Sequence, residues 1–365
     1  MTRLEACLLL QSIPGMGTYR CVKMLNHFGS AKAVFEASYS DWLSVEGLGS
    51  QVCDALKDWK SYRSKIQNQV TELNKLNLDY LFLGSKNYPK ALSFCPDAPL
   101  ILFYKGSINF NHRNVISIVG TRQNTAHGRD FCNLLIEALK AYNPIICSGL
   151  AKGIDIIAHR FALEKGLETV ACLAHGLERI YPTEHYEIAQ SLCKQGALLT
   201  DFFPNSHFRK ENFPQRNRLI AGMAHATIVI ESGLAGGSMN TATLAHQYGR
   251  ELFAVPGRPS DSKSQGCHQL IVQQKAQLLS DPQELIKSLG WEIQPKAKGI
   301  QKTLFQTLSE EEQKIYDQFS KSNKIGLDEL ALELGWKISK TAATLIQMEM
   351  KGFVRALPGK QFEWI

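Results

Sequence analysis

The sequence lacks most of the features that announce an enzyme or a secreted protein. Its nine cysteines, at 7, 21, 53, 95, 132, 147, 172, 193 and 267, lie singly without a CxxC pair. They spell neither a zinc ribbon nor a disulfide frame and read as the reduced thiols of a cytoplasmic protein. No histidine falls in an HExxH or other metal-ligand spacing, so no metal site is assigned. GxxxxGK[ST] is missing, which disfavours a P-loop ATPase, and no GxGxxG with a ribose-binding acid suggests a dinucleotide cofactor. No apolar run approaches a membrane span, and Ala6 to Leu10 is too short for a signal peptide. Neither sign of charge dominates. A formal net charge of +7 admits an acidic polymer as partner without requiring one.

What is present is length and periodicity. A chain of 365 residues with 44% hydrophobic and 21% charged residues is globular and long enough for two or three cores. Between Val115 and Gly257 short apolar runs alternate with amphipathic segments. The pattern predicts strands at 115–119, 145–147, 169–173, 197–200, 226–231 and 252–255. Helices are predicted at 126–141, 155–165, 183–195, 214–224 and 238–249. That alternation describes an α/β fold, a Rossmann-like doubly wound parallel sheet that gathers its ligand loops at the carboxyl ends of the strands. Two earlier runs, Tyr80–Leu83 and Leu100–Tyr104, extend the sheet at an edge.

The loops at that edge carry the chemistry. Ser117-Ile-Val-Gly-Thr-Arg122 and Ser148-Gly-Leu-Ala-Lys-Gly-Ile-Asp155 are glycine turns at strand exits. Bare amides there can approach an anion, and Arg122 and Lys152 supply cations; Gly149 belongs to the second turn. Asp155 reads as an N-cap. Phe213-Pro-Gln-Arg-Asn-Arg218 places Arg216, Asn217 and Arg218 in the first turn of a helix, where cations oppose the dipole unless an anion sits between them. The alternative is a pair of arginines bridged to Asp201 or Glu211. Phe202, Phe203, Phe208 and Phe213 crowd the same loop, and one of them could stack on a base. Ser232 to Thr241 is a further phosphate-type turn with Gly236, Gly237 and Ser238 at a helix start. A nucleoside-monophosphate phosphoribohydrolase of related fold would show a catalytic glutamate just after it; here no acid follows until Glu251. Glu231, before the turn, is expected to anchor Arg216 or Arg218.

The flanks differ. Residues 1–75 are helical in pattern, and Ile13-Pro-Gly-Met-Gly17 recurs as Val45-Glu-Gly-Leu-Gly49. This is a helix-hairpin-helix turn, which serves either a DNA phosphate or packing. Residues 291–307 read as a linker. Residues 308–365 spell three helices and a hairpin across Pro358-Gly359, a winged helix whose acid-rich first two helices favour protein docking over duplex reading.

Six motifs in order resemble the bacterial DNA-processing protein A family (DprA, also called Smf). They are the two glycine turns above, His175-Gly-Leu-Glu-Arg-Ile-Tyr-Pro182, Phe213 to Arg218, Gly237-Ser-Met-Asn-Thr-Ala242 and Phe253-Ala-Val-Pro-Gly257. The resemblance implies an extended Rossmann core over 76–290, a small helix-hairpin-helix or SAM-like domain before it, and the winged helix after it. It also implies a non-enzymatic binder of single-stranded DNA that dimerises and loads the RecA recombinase during natural transformation. Arg122, Arg216 and Arg218 inherit DNA contact by position. After Tyr181-Pro182, where certain members carry a basic DNA-contacting residue, this chain has Thr183 and Glu184.

Overall fold

The computed structural model describes residues 1–111, 114–291, 308–320, 322–357 and 360–364. Contacts divide it into two compact units, Met1–Trp291 and Glu292–Ile365. The expected linker at 291–307 lies almost wholly outside the described residues, as do the turn residues Pro358 and Gly359.

The first unit opens with six helices: α1 (Arg3–Ser12), α2 (Thr18–Phe28), α3 (Ala31–Glu36), α4 (Tyr39–Leu43), α5 (Ser50–Lys57) and α6 (Arg63–Lys75). The repeated motif forms the α1–α2 and α4–α5 turns. Gly15 and Gly47 sit at φ +77° and +84°, a left-handed conformation that a side chain would resist, while Gly17 and Gly49 cap the helices that follow. Arg20 donates to the Gly15 carbonyl and Lys23 to that of Glu46, so the basic residues of the motif tie the two turns to the bundle.

Next come β1 (Asp79–Phe82), α7 (Lys90–Ser93), β2 (Ile101–Gly106), β3 (Val115–Val119), α8 (Ala126–Leu139), β4 (Ile145–Ser148), α9 (Ile154–Glu164) and β5 (Thr169–Cys172). They are followed by α10 (Tyr186–Lys194), β6 (Gly196–Thr200), α11 (Asn212–Met223), β7 (Ala226–Val229), α12 (Gly237–Gln247) and β8 (Glu251–Ala254). The unit closes with α13 (Gln265–Val272), β9 (Gln277–Leu278) and α14 (Pro282–Ser288). The sheet order is β1-β2-β6-β5-β4-β3-β7-β8-β9; β2 pairs antiparallel with both β1 and β6 at one edge, and the other neighbours are parallel. The period of two sends alternate residues to opposite faces. Ile116 and Ile118 pack under α8 and α9, whereas Val115 and Val119 pack under α11 and α12. From β3 the chain walks outward to β6, then crosses to β7 on the other side. This reversal places the switch point between β3 and β7, where exit loops part and leave a crevice.

The helical segment does not stand apart from this sheet. Leu8, Cys21, Val34 and Leu73 share one apolar cluster with Ile101, Phe103, Leu173 and Leu198. The boundary expected near residue 75 therefore marks a change of chain pattern rather than a break in packing. The second unit holds α15 (Glu310–Phe319), β10 (Lys324–Gly326), α16 (Leu327–Leu334), α17 (Ile338–Met350), β11 (Val354–Leu357) and β12 (Gln361–Trp364), around Ile315, Leu330, Leu345 and Met348. Its sheet runs β10-β12-β11, adding one short strand to the expected hairpin. Phe103 is fully buried where the helical bundle meets the sheet. Phe103→Ala is predicted to cost about 3–5 kcal/mol and to lower the melting of both parts together, as seen by hydrogen exchange across residues 1–291.

Candidate nucleic-acid interface

At the β3/β7 switch point lies a cleft of about 430 Å3, within the range of a small-ligand site. Its walls are the β3 exit loop with Arg122, the start of α11 with Phe213, Arg216 and Asn217, and the start of α12 with Gly236, Gly237 and Ser238. Helix α12 has no side-chain cap; the Met239 amide bonds to the Gly236 carbonyl, and no side chain caps the Gly237 and Ser238 amides at the positive end of the helix. A Cβ at Gly237 would meet nothing within 4 Å, and Ser238 is held from below by a 2.8 Å hydrogen bond to the Ser232 hydroxyl. Arg122 faces this turn, exposed, with its guanidinium 5.5 Å from the Phe213 ring centroid and no ion pair among the described residues. Open amides and an unpaired guanidinium across one crevice form a seat for a phosphate.

Beside the cleft the edge turns aromatic. Tyr181 and Phe208 pack at a tilt with centroids 4.7 Å apart, and Phe213 meets Phe208 edge to face at 5.6 Å. Tyr181 and Phe208 nonetheless remain 46% and 40% exposed. Exposed rings flanked by Arg122, Arg209 and Lys210 offer flat π-faces where bases can stack. Sequence reading singled out Phe208 and Phe213 but missed Tyr181. The available signal was a tyrosine in a strand-exit loop of the same edge.

Five expected contacts, Arg216, Asn217, Arg218, Lys152 and Gly149, are placed differently. Arg216 is only 4% exposed. Helix α11 starts at Asn212, two residues before Pro214, so Arg216 to Arg218 lie beyond the first turn and the dipole no longer bears on them. The Arg216 guanidinium donates to the carbonyls of Gly149 (2.7 Å) and Cys172 (2.5 Å), stapling the ends of β4 and β5 to α11, while its Nε reaches the Asn217 side-chain oxygen. Asn217 in turn donates to the Gly237 carbonyl and to Asn240, which shapes the cleft wall. Arg218 points the other way, into an ion pair with Asp201 and a bond to the Asp97 carbonyl. Lys152 is exposed but paired with Glu184 at 3.1 Å. Glu231 anchors neither arginine; it accepts from the Thr125 amide and hydroxyl at the start of α8.

Gly149 is buried, and its amide is already taken by Asp155 at 3.2 Å. A Cβ there would meet both the Arg216 guanidinium and the Asp155 carboxylate, so this glycine serves a clamp rather than a bound anion. Asp155 is the second residue of α9, with Gly153 as N-cap; its carboxylate turns back to the loop. Burial pushes Asp155 from its ordinary 3.8 up to about 6, against the pull of Arg216. Burial likewise draws the Arg216 guanidinium below its usual value, with Asp155 opposing.

The comparisons with known proteins agree with this architecture. The family model for DNA recombination-mediator protein A matches residues 79–290, and that for the DprA winged helix domain matches residues 303–360. The Escherichia coli (strain K12) protein Smf is 30% identical over 333 residues, 89% of this chain and 88% of its own length. The DNA processing protein DprA of Streptococcus pneumoniae (strain R6) is 37% identical over 199 residues, 54% of this chain and 70% of that protein. The X-ray structure of DprA from Streptococcus pneumoniae superposes with a TM-score of 0.68 at 28% identity, covering 79% of this chain and 98% of that one. That of Helicobacter pylori DNA processing protein A, which describes a single-stranded DNA binding mode, gives 0.53 at 30% identity over 59% and 96%.

Two predictions separate the arginines. Arg216→Ala takes the donor from two buried carbonyls and the offsetting cation from the buried Asp155, and should cost about 3–5 kcal/mol, whereas Arg122→Ala should leave the melting temperature unchanged. For Asp155, the folded chain keeps a proton between about pH 4 and pH 6 that the unfolded chain has lost, so stability falls as pH rises through that window. Asp155→Asn should flatten this slope in melting temperature against pH. The family-model match over residues 79–290 and the likeness to Smf along 89% of the chain, on a sheet with this switch-point cleft, show that the chain belongs to the DNA recombination-mediator protein A (DprA/Smf) family.

Proposed function

We propose that this protein binds single-stranded DNA at the carboxyl edge of its central sheet and does not hydrolyse it. The observation that carries the reading is Arg122, an unpaired guanidinium facing the uncapped start of α12, beside an exposed ridge of Tyr181, Phe208 and Phe213. Phosphates sit between the cation and the amides, and bases stack on the rings without being read for sequence. The Helicobacter pylori relative, described as binding single-stranded DNA, supports the same partner here.

Non-enzymatic action is supported by the acids of the site. Asp155 is the only acid lining the cleft among the described residues, and its carboxylate is committed to Gly149. Family membership supports the further steps: the chain acts as a homodimer, hands the coated strand to RecA and works in natural transformation. Nine cysteines without a disulfide fit a cytoplasmic setting. Among the described residues no helix is long and apolar enough to cross a membrane. In the winged helix, Lys340 and Lys351 are paired with Glu311 and Glu312, while Ile346 and Met350 are exposed on α17. Such a face suits a protein partner better than a duplex groove.

Gel retention of labelled oligo-dT and adenine release from AMP test the reading together. The wild type should retain the oligonucleotide and leave AMP intact. Arg122→Ala should weaken retention at least about tenfold, and deletion of residues 305–365 should leave it largely in place. Adenine release without retention would overturn the proposal in favour of a phosphoribohydrolase.

A further inference from the structure

The cations at this rim are unevenly satisfied. Towards β4 and β6 two of them are neutralised, Lys152 by Glu184 and Arg218 by Asp201, while Arg209 and Lys210 stay exposed beside the aromatic ridge. A polyanion leaving Arg122 in that direction meets salt bridges it would have to break. Towards β8 the balance reverses. Beyond the Gly120–Asn124 loop lies a second cleft of about 640 Å3, between the start of α8 and the loop that follows β8. Arg258 and Lys263 stand in it, with His127 on the opposite wall. Arg258 is exposed and enters no ion pair among the described residues. Lys263 donates to the Gln123 carbonyl, which fixes the ammonium and leaves its charge unneutralised. Among the described residues Asp261 is the one acid lining the cleft, and it too makes no ion pair. The start of α8 adds little, because Glu231 already takes the Thr125 amide and hydroxyl.

Resting on the single-strand reading above, we propose that the bound strand continues from the Arg122 cleft over the Gly120–Asn124 loop into this second cleft, where Arg258 and Lys263 hold its phosphates. Gln123 joins the two: it lines the first cleft, and its carbonyl anchors the lysine of the second. Among the described residues the second cleft is lined by no phenylalanine, tyrosine or tryptophan, so it grips backbone rather than stacked bases. The strand thus enters over the aromatic ridge, seats one phosphate at Arg122 and leaves along β8. Length, not base identity, sets how much of this track is used.

The test compares dT3 with dT15 by fluorescence anisotropy across a salt series. Arg258→Ala with Lys263→Ala should weaken dT15 about tenfold and leave dT3 unchanged. It should also reduce the salt slope by about 1.4, two phosphates at about 0.7 each for single strands. Arg258→Glu alone, which spares the lysine that holds the loop, should weaken dT15 in the same way, and Asp261→Asn should tighten it. Unchanged dT15 binding in the charge-removing variants, or an equal loss for dT3 and dT15, overturns the proposal. Failure of the underlying reading looks different: the wild type would then bind neither oligonucleotide, or bind both without regard to Arg122.

Discussion

The binding edge depends on a buried guanidinium. Arg216 reaches from α11 across the ends of two neighbouring strands and takes the carbonyls of Gly149 and Cys172, both of which would otherwise lack a donor at a point where the sheet has ended. Asp155 completes the clamp from the far side by accepting the Gly149 amide. One peptide unit on each side of Gly149 is therefore held between opposite charges in a space that leaves no room for a side chain. A charge this deep is tolerable only when fully engaged. Its partners fix where α11 lies and, through Asn217, where the α12 turn lies.

That clamp separates two uses of arginine within one short motif. Arg216 builds the cleft wall, Arg218 ties α11 to Asp201 and the Asp97 carbonyl, and neither keeps charge available at the surface. Arg122 remains unpaired, on a loop braced by the Thr121 bond to the Glu231 carbonyl and by the Ile154 amide. Function on this account rests on the charge left over once the fold has satisfied itself. It lies on the β3 and β8 sides of the rim and over the aromatic ridge, rather than evenly along the edge.

Much of this was legible in the sequence. Strand β3 runs over Val115–Val119 as its apolar run indicated, and α12 begins within one residue of the predicted start, because both elements are buried and periodic. Helix α13, strand β9 and helix α14 escaped notice. The strand is only two residues long with both side chains exposed, and its register comes from β8 rather than from its own pattern. At the site, Arg122 could be placed because a strand exit fixes it. The direction of Arg216 could not, since a two-residue shift in the start of α11 rotates the motif by more than half a turn. Nor could the pairings of Lys152 with Glu184 and Arg218 with Asp201 be found, because they join loops of different strands and no local spacing encodes them.

The most direct test is to map where a strand lies. Photo-crosslinking of 4-thiothymidine oligonucleotides to the full chain, followed by peptide mass spectrometry, should give adducts at Tyr181, Phe208 or Phe213, on the ridge beside Arg122. Adducts confined to α17 of the winged helix, with the ridge unlabelled, would contradict the account.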